Sequence, residues 1–249
     1  MWWAGSEAAQ VYLGPASVGV WSPASSDAGV QWRSAASAQE GWAQGIELLL
    51  QLEPRPRRRR VAVWLSGTLA RPFIFEPVQG LRRWSEALQV AAGLAPEATG
   101  LDGPCEVWLD GWAPGKPCIA IAIDGGLRDA IESLARSRNV RLTALRPWWV
   151  AALNEAVRKE AVTMRLLAVE EPDALTVLCG ADAGSTAAAS YAPRPDPAQT
   201  DALLTRALLA ANVSAADGLR ATIQDSTPDR DGVVDVWTAP FDVRLERLA

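Results

Sequence analysis

The chain has 249 residues, of which 49% are hydrophobic and 21% charged, with a net charge of −5 and an isoelectric point near 5.0. This length allows one large domain or two smaller ones, and the acidic balance argues against a protein that mainly coats nucleic acid phosphates. The absence of histidine removes the usual general base of serine and cysteine hydrolases and the commonest metal ligand.

The three cysteines lie far apart, without the C-x-x-C spacing of zinc and redox motifs. We therefore expect free thiols in a reducing compartment. The opening "MWWAGSEAAQ" lacks the basic and apolar regions of a signal peptide, and no later stretch reaches the roughly 20 apolar residues that cross a bilayer. These features favour a cytoplasmic protein.

The first part of the chain alternates strand-like and helix-like patterns. Residues 11–36 combine short β-prone pieces with Gly, Pro and Asp-Ala-Gly turns, which predicts two or three antiparallel strands. The apolar spacing of the following segments then predicts a helix around 42–50, a buried central strand at 61–65, a helix at 81–91, a hairpin at 105–124, a helix at 127–135, a strand at 140–145 and a helix from Pro147.

The second part restarts this pattern. Three strand-like segments, 163–169, 174–181 and 186–192, precede a helix at 203–211, and the last stretch is too short to repeat the whole first unit. We therefore predict a first unit at residues 1–160, with a hairpin-and-helix insert at about 72–117, and a shortened second unit at 161–249.

The chain twice shows the same predicted order of three antiparallel strands, a helix and a further strand. This order resembles that of the ribonuclease-H-like units of the actin-like superfamily. The opening at 11–21, the strand at 61–65, the second apolar strand at 119–123 and the phrase "VRLTALRPWW" at 140–149 also resemble GspL cytoplasmic domains of type II secretion and PilM proteins of type IV pili. The resemblance implies an α/β fold of two actin-like units with mixed sheets, the second one shortened.

This resemblance also implies a function. It points to a non-catalytic cytoplasmic scaffold, at the inner face of the inner membrane, that grips segments of partner proteins without any cofactor. The implied partners are the tail of an inner-membrane assembly protein and the assembly ATPase, not nucleic acid.

Actin-like proteins that hold ATP use an Asp-x-Gly turn between the first two strands of each unit, where backbone amides and a carboxylate-held cation receive the phosphates. The first such turn here is Gly14-Pro15-Ala16, which has no carboxylate. The second is Val169-Glu170-Glu171-Pro172, where proline replaces the glycine and two glutamates would repel phosphate. We therefore expect that ATP binding has been lost.

Asp124 lies in an Asp-Gly-Gly stretch between a strand and a helix, which invites a phosphate-binding interpretation. In the actin-like family the acidic turn belongs to a hairpin instead. We favour a helix cap, in which the carboxylate of Asp124 accepts an amide hydrogen bond.

Most of the twelve tryptophans should be core residues. Some lie beside arginines or in the inserted hairpin, and Trp and Arg are enriched at binding hot spots. The residues predicted to bind a partner are Arg82, Arg83, Trp84, Trp108 and Trp112.

Two other functional classes stay open from the sequence. A divergent actin-like ATPase or small-molecule kinase would use Asp124 or Asp182 for a metal-bound phosphate. A regulatory nucleic-acid binder would use the run Arg55 to Arg60, which we otherwise interpret as a solvated loop or a contact to an acidic protein or the membrane surface.

Overall fold

The computed structural model describes residues 8–23, 29–52, 59–78, 80–160, 165–181, 184–191, 195–215, 218–223 and 243–248. These residues form three β-sheets and five helices. The strands are β1 Ala9–Leu13, β2 Ser17–Trp21, β3 Gln31–Ser34, β4 Arg59–Leu65, β5 Ala70–Phe75, β6 Cys105–Leu109, β7 Cys118–Asp124, β8 Val140–Pro147, β9 Leu166–Glu170, β10 Leu175–Ala181, β11 Gly184–Tyr191, β12 Gly218–Ile223 and β13 Val243–Arg247. The helices are α1 Ala38–Leu52, α2 Trp84–Thr99, α3 Gly125–Ser137, α4 Trp148–Glu160 and α5 Pro197–Ala211.

The first sheet has the strand order β3-β2-β1-β4-β8. β1 pairs antiparallel with β2 and parallel with β4, and β4 pairs parallel with β8. The carboxyl ends of β1, β4 and β8 therefore meet at one edge of this sheet, and their amino ends meet at the opposite edge. Ligands of open α/β sheets usually bind beyond the carboxyl ends of such strands.

Helices α1 and α3 pack on each other and on the first sheet. Trp42 of α1 is 1% exposed, and its indole N–H donates to the Ile131 carbonyl of α3 at 3.1 Å. The apolar stripe predicted for α3 is confirmed, since Leu127, Ile131 and Ala135 are all buried. These contacts fix α3 and the turn that leads into β8.

The second sheet has the order β11-β10-β9-β12-β13, with β12 parallel to β9. Its first four strands thus repeat the arrangement of the first sheet. Along the chain, β9, β10, β11, α5 and β12 follow one another in the predicted order of three strands, a helix and a strand. The fifth strand differs: β13 is antiparallel to β12, whereas β8 is parallel to β4.

The third sheet, β5-β7-β6, carries α2 on one face. It encloses a separate core that includes Phe73, Phe75, Ala87 and Ala91. The sequence did not predict β5, because Pro72 interrupts it. Proline is tolerated there because β5 is an edge strand of this sheet.

Helix α4 runs from the first sheet to the second and contacts β8, β9 and β13. It begins at Trp148 and Trp149, which are 0% and 1% exposed, and the Trp149 indole donates to the Ala70 carbonyl at 2.8 Å. The mixed α/β class is thus confirmed, while the division of the chain at residue 160 stays a prediction. In the described part of the chain, no helix combines the length and apolar character needed to cross a membrane.

The cysteines are all free, as the sequence predicts. Cys105 pairs in register with Asp124 at one end of β7, and Cys118 lies at the other end. A bridge between the two thiols would require a different register.

Candidate functional site

The turn between β1 and β2 meets the turn between β9 and β10 where the first two sheets face each other. The side chain of Asp173, from the second turn, lies against Gly14 of the first. A Cβ atom placed on Gly14 would lie 1.6 Å from Asp173 Oδ2, so the carboxylate fills the space that only glycine leaves free. The Ser17 hydroxyl donates to the same oxygen at 3.0 Å.

The other carboxylate oxygen of Asp173 accepts hydrogen bonds from residues at the ends of two further strands. The Tyr12 hydroxyl, at the end of β1, and the Ser66 hydroxyl, just after β4, each donate to Oδ1 at 2.9 Å. Three hydroxyl groups of the first sheet therefore hold one acid of the second. Charge-assisted hydrogen bonds of this kind are about twice as strong as neutral ones.

Glu171 enters the same region more deeply and has no exposed surface. Its Oε2 accepts the backbone N–H of Gly67 at 2.9 Å, and Tyr12 approaches Oε1 at 3.5 Å. Burial raises the pKa of Glu171 well above its ordinary value, and the negative charge of Asp173 raises it further. Burial, with the charges of both acids, also raises the pKa of the Tyr12 hydroxyl.

We call Tyr12, Ser17, Ser66, Glu171 and Asp173 the polar cluster. It lies at the carboxyl ends of β1 and β4, the position that an open α/β sheet normally gives to a ligand. The cluster is thus a contact within the chain at the place where the actin-like resemblance would put a nucleotide.

The chemistry of the polar cluster opposes phosphate binding. The backbone N–H of Gly14 donates to Ser17 O at 2.9 Å, and that of Gly67 donates to Glu171, so both amides already have acceptors. A phosphate would also meet two carboxyl groups. No group of three or more His, Cys, Asp or Glu that could hold a metal ion occurs among the described residues.

Glu170 differs from the sequence-based expectation that both glutamates face the phosphate position. Its carboxylate lies 3.1 Å from the Arg220 guanidinium of β12. The second acid of the polar cluster is Asp173, which follows the proline. Ser66 is fully buried, so its hydroxyl offers no nucleophile to a substrate from outside.

Asp124 is the N-cap of α3, as the sequence predicts. Its Oδ1 accepts the backbone N–H groups of Gly126 at 2.8 Å and Leu127 at 3.1 Å. The Asp-Gly-Gly stretch therefore starts a helix.

The predicted partner-binding residues fall on two faces of the third sheet. Trp84 is 45% exposed and stacks edge-to-face on Trp112 at 5.9 Å between ring centroids. Arg82 and Arg83 are exposed just before Trp84. The indole N–H of Trp112 is buried without a hydrogen-bond acceptor in the described structure.

Trp108 lies elsewhere. It belongs to the face of β6 that packs toward the first sheet, and its indole donates to Glu106 at 2.8 Å. It lines a cavity of about 330 Å³ between β6, α3 and β8, together with Arg128, Glu132, Leu142, Thr143, Ala144 and Leu145.

Several sequence-based candidates lie outside the described residues. They are Trp2, Trp3, Arg55, Arg57, Arg58 and Asp182.

Local sequence patterns did not indicate that Tyr12, Ser17 and Asp173 belong to one site. Tyr12 stands in an otherwise apolar strand, and Asp173 follows a turn that was already suspected. A polar residue at the end of a buried strand was the available signal, but contacts across about 160 residues cannot be paired by local patterns.

No family model and no curated protein matches the chain. The structure is similar to the cytoplasmic domain of EpsL, an inner membrane component of the type II secretion system of Vibrio cholerae, at 14% identity over 79% of this chain and 73% of that chain, with a TM-score of 0.46. It is also similar to a PilM-PilN type IV pilus biogenesis complex, at 15% identity over 82% and 68% of the two chains and a TM-score of 0.49.

A protein of Bacteroides thetaiotaomicron with an actin-like ATPase fold is similar at 11% identity over 88% of this chain and 82% of that chain, with a TM-score of 0.49. The resemblance stated from the sequence is thus confirmed as a distant likeness. All three TM-scores are below 0.5, so these likenesses describe the fold at a distance and say nothing about the function of this chain.

Proposed function

We propose that this protein is a non-catalytic cytoplasmic scaffold that holds segments of partner proteins in a bacterial machine of the type II secretion or type IV pilus kind. Its partners would be the tail of an inner-membrane assembly protein and the assembly ATPase. The polar cluster is the single observation that carries this proposal. Because the second turn fills the nucleotide position with Glu171 and Asp173, recognition is left to surfaces.

The cavity beside β8 is the first surface that suits a partner segment. It lies between two edge strands, since β8 ends the first sheet and β6 ends the third. An extended peptide can add to such an edge by backbone hydrogen bonds. Trp108 offers an aromatic anchor there, and Leu142 and Leu145 offer apolar contacts.

The second surface is the pair Trp84 and Trp112 with Arg82 and Arg83. The half-exposed Trp84 and the unpaired indole N–H of Trp112 favour a partner with an apolar side chain and a carbonyl or carboxylate acceptor. We assign this surface to the second partner.

Thermal unfolding with and without Mg-ATP tests the loss of nucleotide binding. We expect the same Tm at millimolar Mg-ATP as in its absence, because ligand at about 100 times its Kd would stabilise the protein by about 2.7 kcal/mol and raise Tm by several degrees. A saturable rise would contradict the proposal and support the alternative, a divergent ATPase or small-molecule kinase.

Titration of a fluorescent peptide tests the scaffold role. The peptide should copy the cytoplasmic tail of an inner-membrane assembly protein encoded beside this chain, and binding is read as anisotropy. We expect Trp108→Ala to weaken binding about tenfold or more, the usual size for a central aromatic anchor, while Trp84→Ala leaves it unchanged. No binding by the folded wild-type protein would overturn the proposal.

A further inference from the structure

Arginines from two distant segments meet at the amino-terminal edge of the first sheet. Arg60 is the second residue of β4, and Arg141 is the second residue of β8. The parallel register pairs these two residues directly. Both are exposed, so two like charges lie side by side.

The last turn of α3 and the turn that follows it add two more arginines. Arg136 and Arg138 are exposed, and Asn139 completes the turn in the left-handed conformation with φ 55°. We call Arg60, Arg136, Arg138 and Arg141 the basic edge.

The basic edge is not neutralised within the described part of the chain, where none of its four arginines forms an ion pair. The acid best spaced to pair with Arg136 along α3 is Glu132, which binds Arg128 instead at 2.8 Å. Like charges placed directly opposite each other in a sheet are destabilising. The edge therefore carries four solvated positive charges that no described acid neutralises, and it is open to an anion from outside.

We propose that the basic edge docks on the surface of a bilayer rich in anionic phospholipid. The guanidinium fork matches phosphate oxygens, and clusters of four or more basic residues bind anionic membrane surfaces. The four arginines lie on the starts of two paired strands, on the last turn of α3 and on the turn before β8, and they do not line the cavity beside β8.

This docking would orient the first sheet with its amino-terminal edge toward the lipid. β8 then leads away from the bilayer, and Leu145 lies about 13 Å beyond Arg141 along the strand. A protein tail that emerges from the membrane would reach the cavity beside β8 within a few residues. The inference goes beyond the proposed scaffold role, since lipid binding can be measured without any partner.

Co-sedimentation with vesicles tests the proposal. Wild-type protein is mixed with vesicles of phosphatidylcholine alone or of phosphatidylcholine with phosphatidylglycerol. We expect binding only to the anionic vesicles, decreasing as salt increases. An arginine near an anionic surface contributes about fivefold to the partition coefficient, so the double variant Arg60→Ser, Arg141→Ser should bind about 25-fold more weakly.

The matched control is the double variant Arg33→Ser, Arg206→Ser, which removes the same charge from exposed positions of β3 and α5. We expect its partition coefficient to change less than twofold. Equal weakening in both variants would show a non-specific charge effect and would overturn the proposal. The absence of binding to anionic vesicles would also overturn the proposal. A third contrary result would be that the protein binds duplex DNA but not lipid, and that only the basic-edge variant loses this DNA binding. Circular dichroism confirms that each variant is folded.

Discussion

Glu171 is an acid without exposed surface, held between the backbone N–H of Gly67 and the side chain of Tyr12. Burial favours the neutral form of its carboxyl group. A folded-state pKa above the unfolded value means that the native protein binds more protons than the unfolded chain. The stability from this group is therefore fully present below the unfolded pKa and is lost as pH rises toward the folded pKa.

Replacing Glu171 by glutamine should remove this loss. The amide keeps an acceptor for Gly67 N–H but cannot ionise. We expect Glu171→Gln to raise the free energy of unfolding at pH 8, by about 1 to 3 kcal/mol, the range for a buried polar group with poor partners. Below the unfolded pKa of glutamic acid the difference should largely vanish. Urea unfolding at a series of pH values measures both.

The neighbouring Glu170 provides a control of opposite sign. Glu170→Gln removes the carboxylate that lies 3.1 Å from Arg220, so it should lower stability at pH 8. If both glutamines changed stability in the same direction, the assignment of the buried acid to Glu171 would be wrong.

At the scale of the elements, α3 depends on the cap at Asp124. One carboxylate oxygen satisfies two of the free N–H groups in its first turn. α3 in turn contacts α1 and β8, so this cap supports the wall of the cavity beside β8.

The substitution Asp124→Ala should lower the free energy of unfolding by about 0.5 to 2 kcal/mol. In Asp124→Ser the hydroxyl oxygen can still accept from the same backbone N–H groups, so this variant should keep most of the wild-type free energy of unfolding. Chemical denaturation of the two variants gives the comparison. Equal loss in both would mean that Asp124 contributes through its charge and not through the cap.

The elements themselves were largely predictable from local patterns. Val61, Val63 and Leu65 of β4 are fully buried, and their apolar run predicted a central strand. The stripe of α3 and the hairpin of β6 and β7 followed from the same rules. β5 was missed because Pro72 signals a break, and only the position of β5 at a sheet edge makes the proline acceptable.

The sequence predicted that the position of the polar cluster would not bind phosphate, but it did not predict which residues occupy it. The lack of a carboxylate at Gly14 and the proline after Glu171 indicated the loss of a phosphate site. That Asp173 would fill the space beside Gly14 depends on the packing of two sheets whose turns are about 160 residues apart. Local periodicity carries no information on such a contact.

At the scale of the whole molecule, the polar cluster joins the first sheet to the second. Asp173 of the second contacts Tyr12, Ser17 and Ser66 of the first. Hydrogen bonds to a charged group contribute about 1.5 to 3 kcal/mol each. Both turns should therefore be protected together against local opening.

The substitution Asp173→Ala should loosen both turns at once. We expect amide hydrogen exchange to rise about tenfold at Gly14, Ala16 and Ser17 in the turn between β1 and β2, as well as in the turn that carries the substitution. The exposed Asp129→Ala in α3 is the control and should leave these amides unchanged. Faster exchange in the second turn alone would show that the two sheets are held together by other contacts.

The parallel pairing of β1, β4 and β8 gives the first sheet two chemically opposite ends. The seven residues of β4 separate them by about 23 Å. A large partner bound at one of these ends would therefore leave the other end open to a second partner.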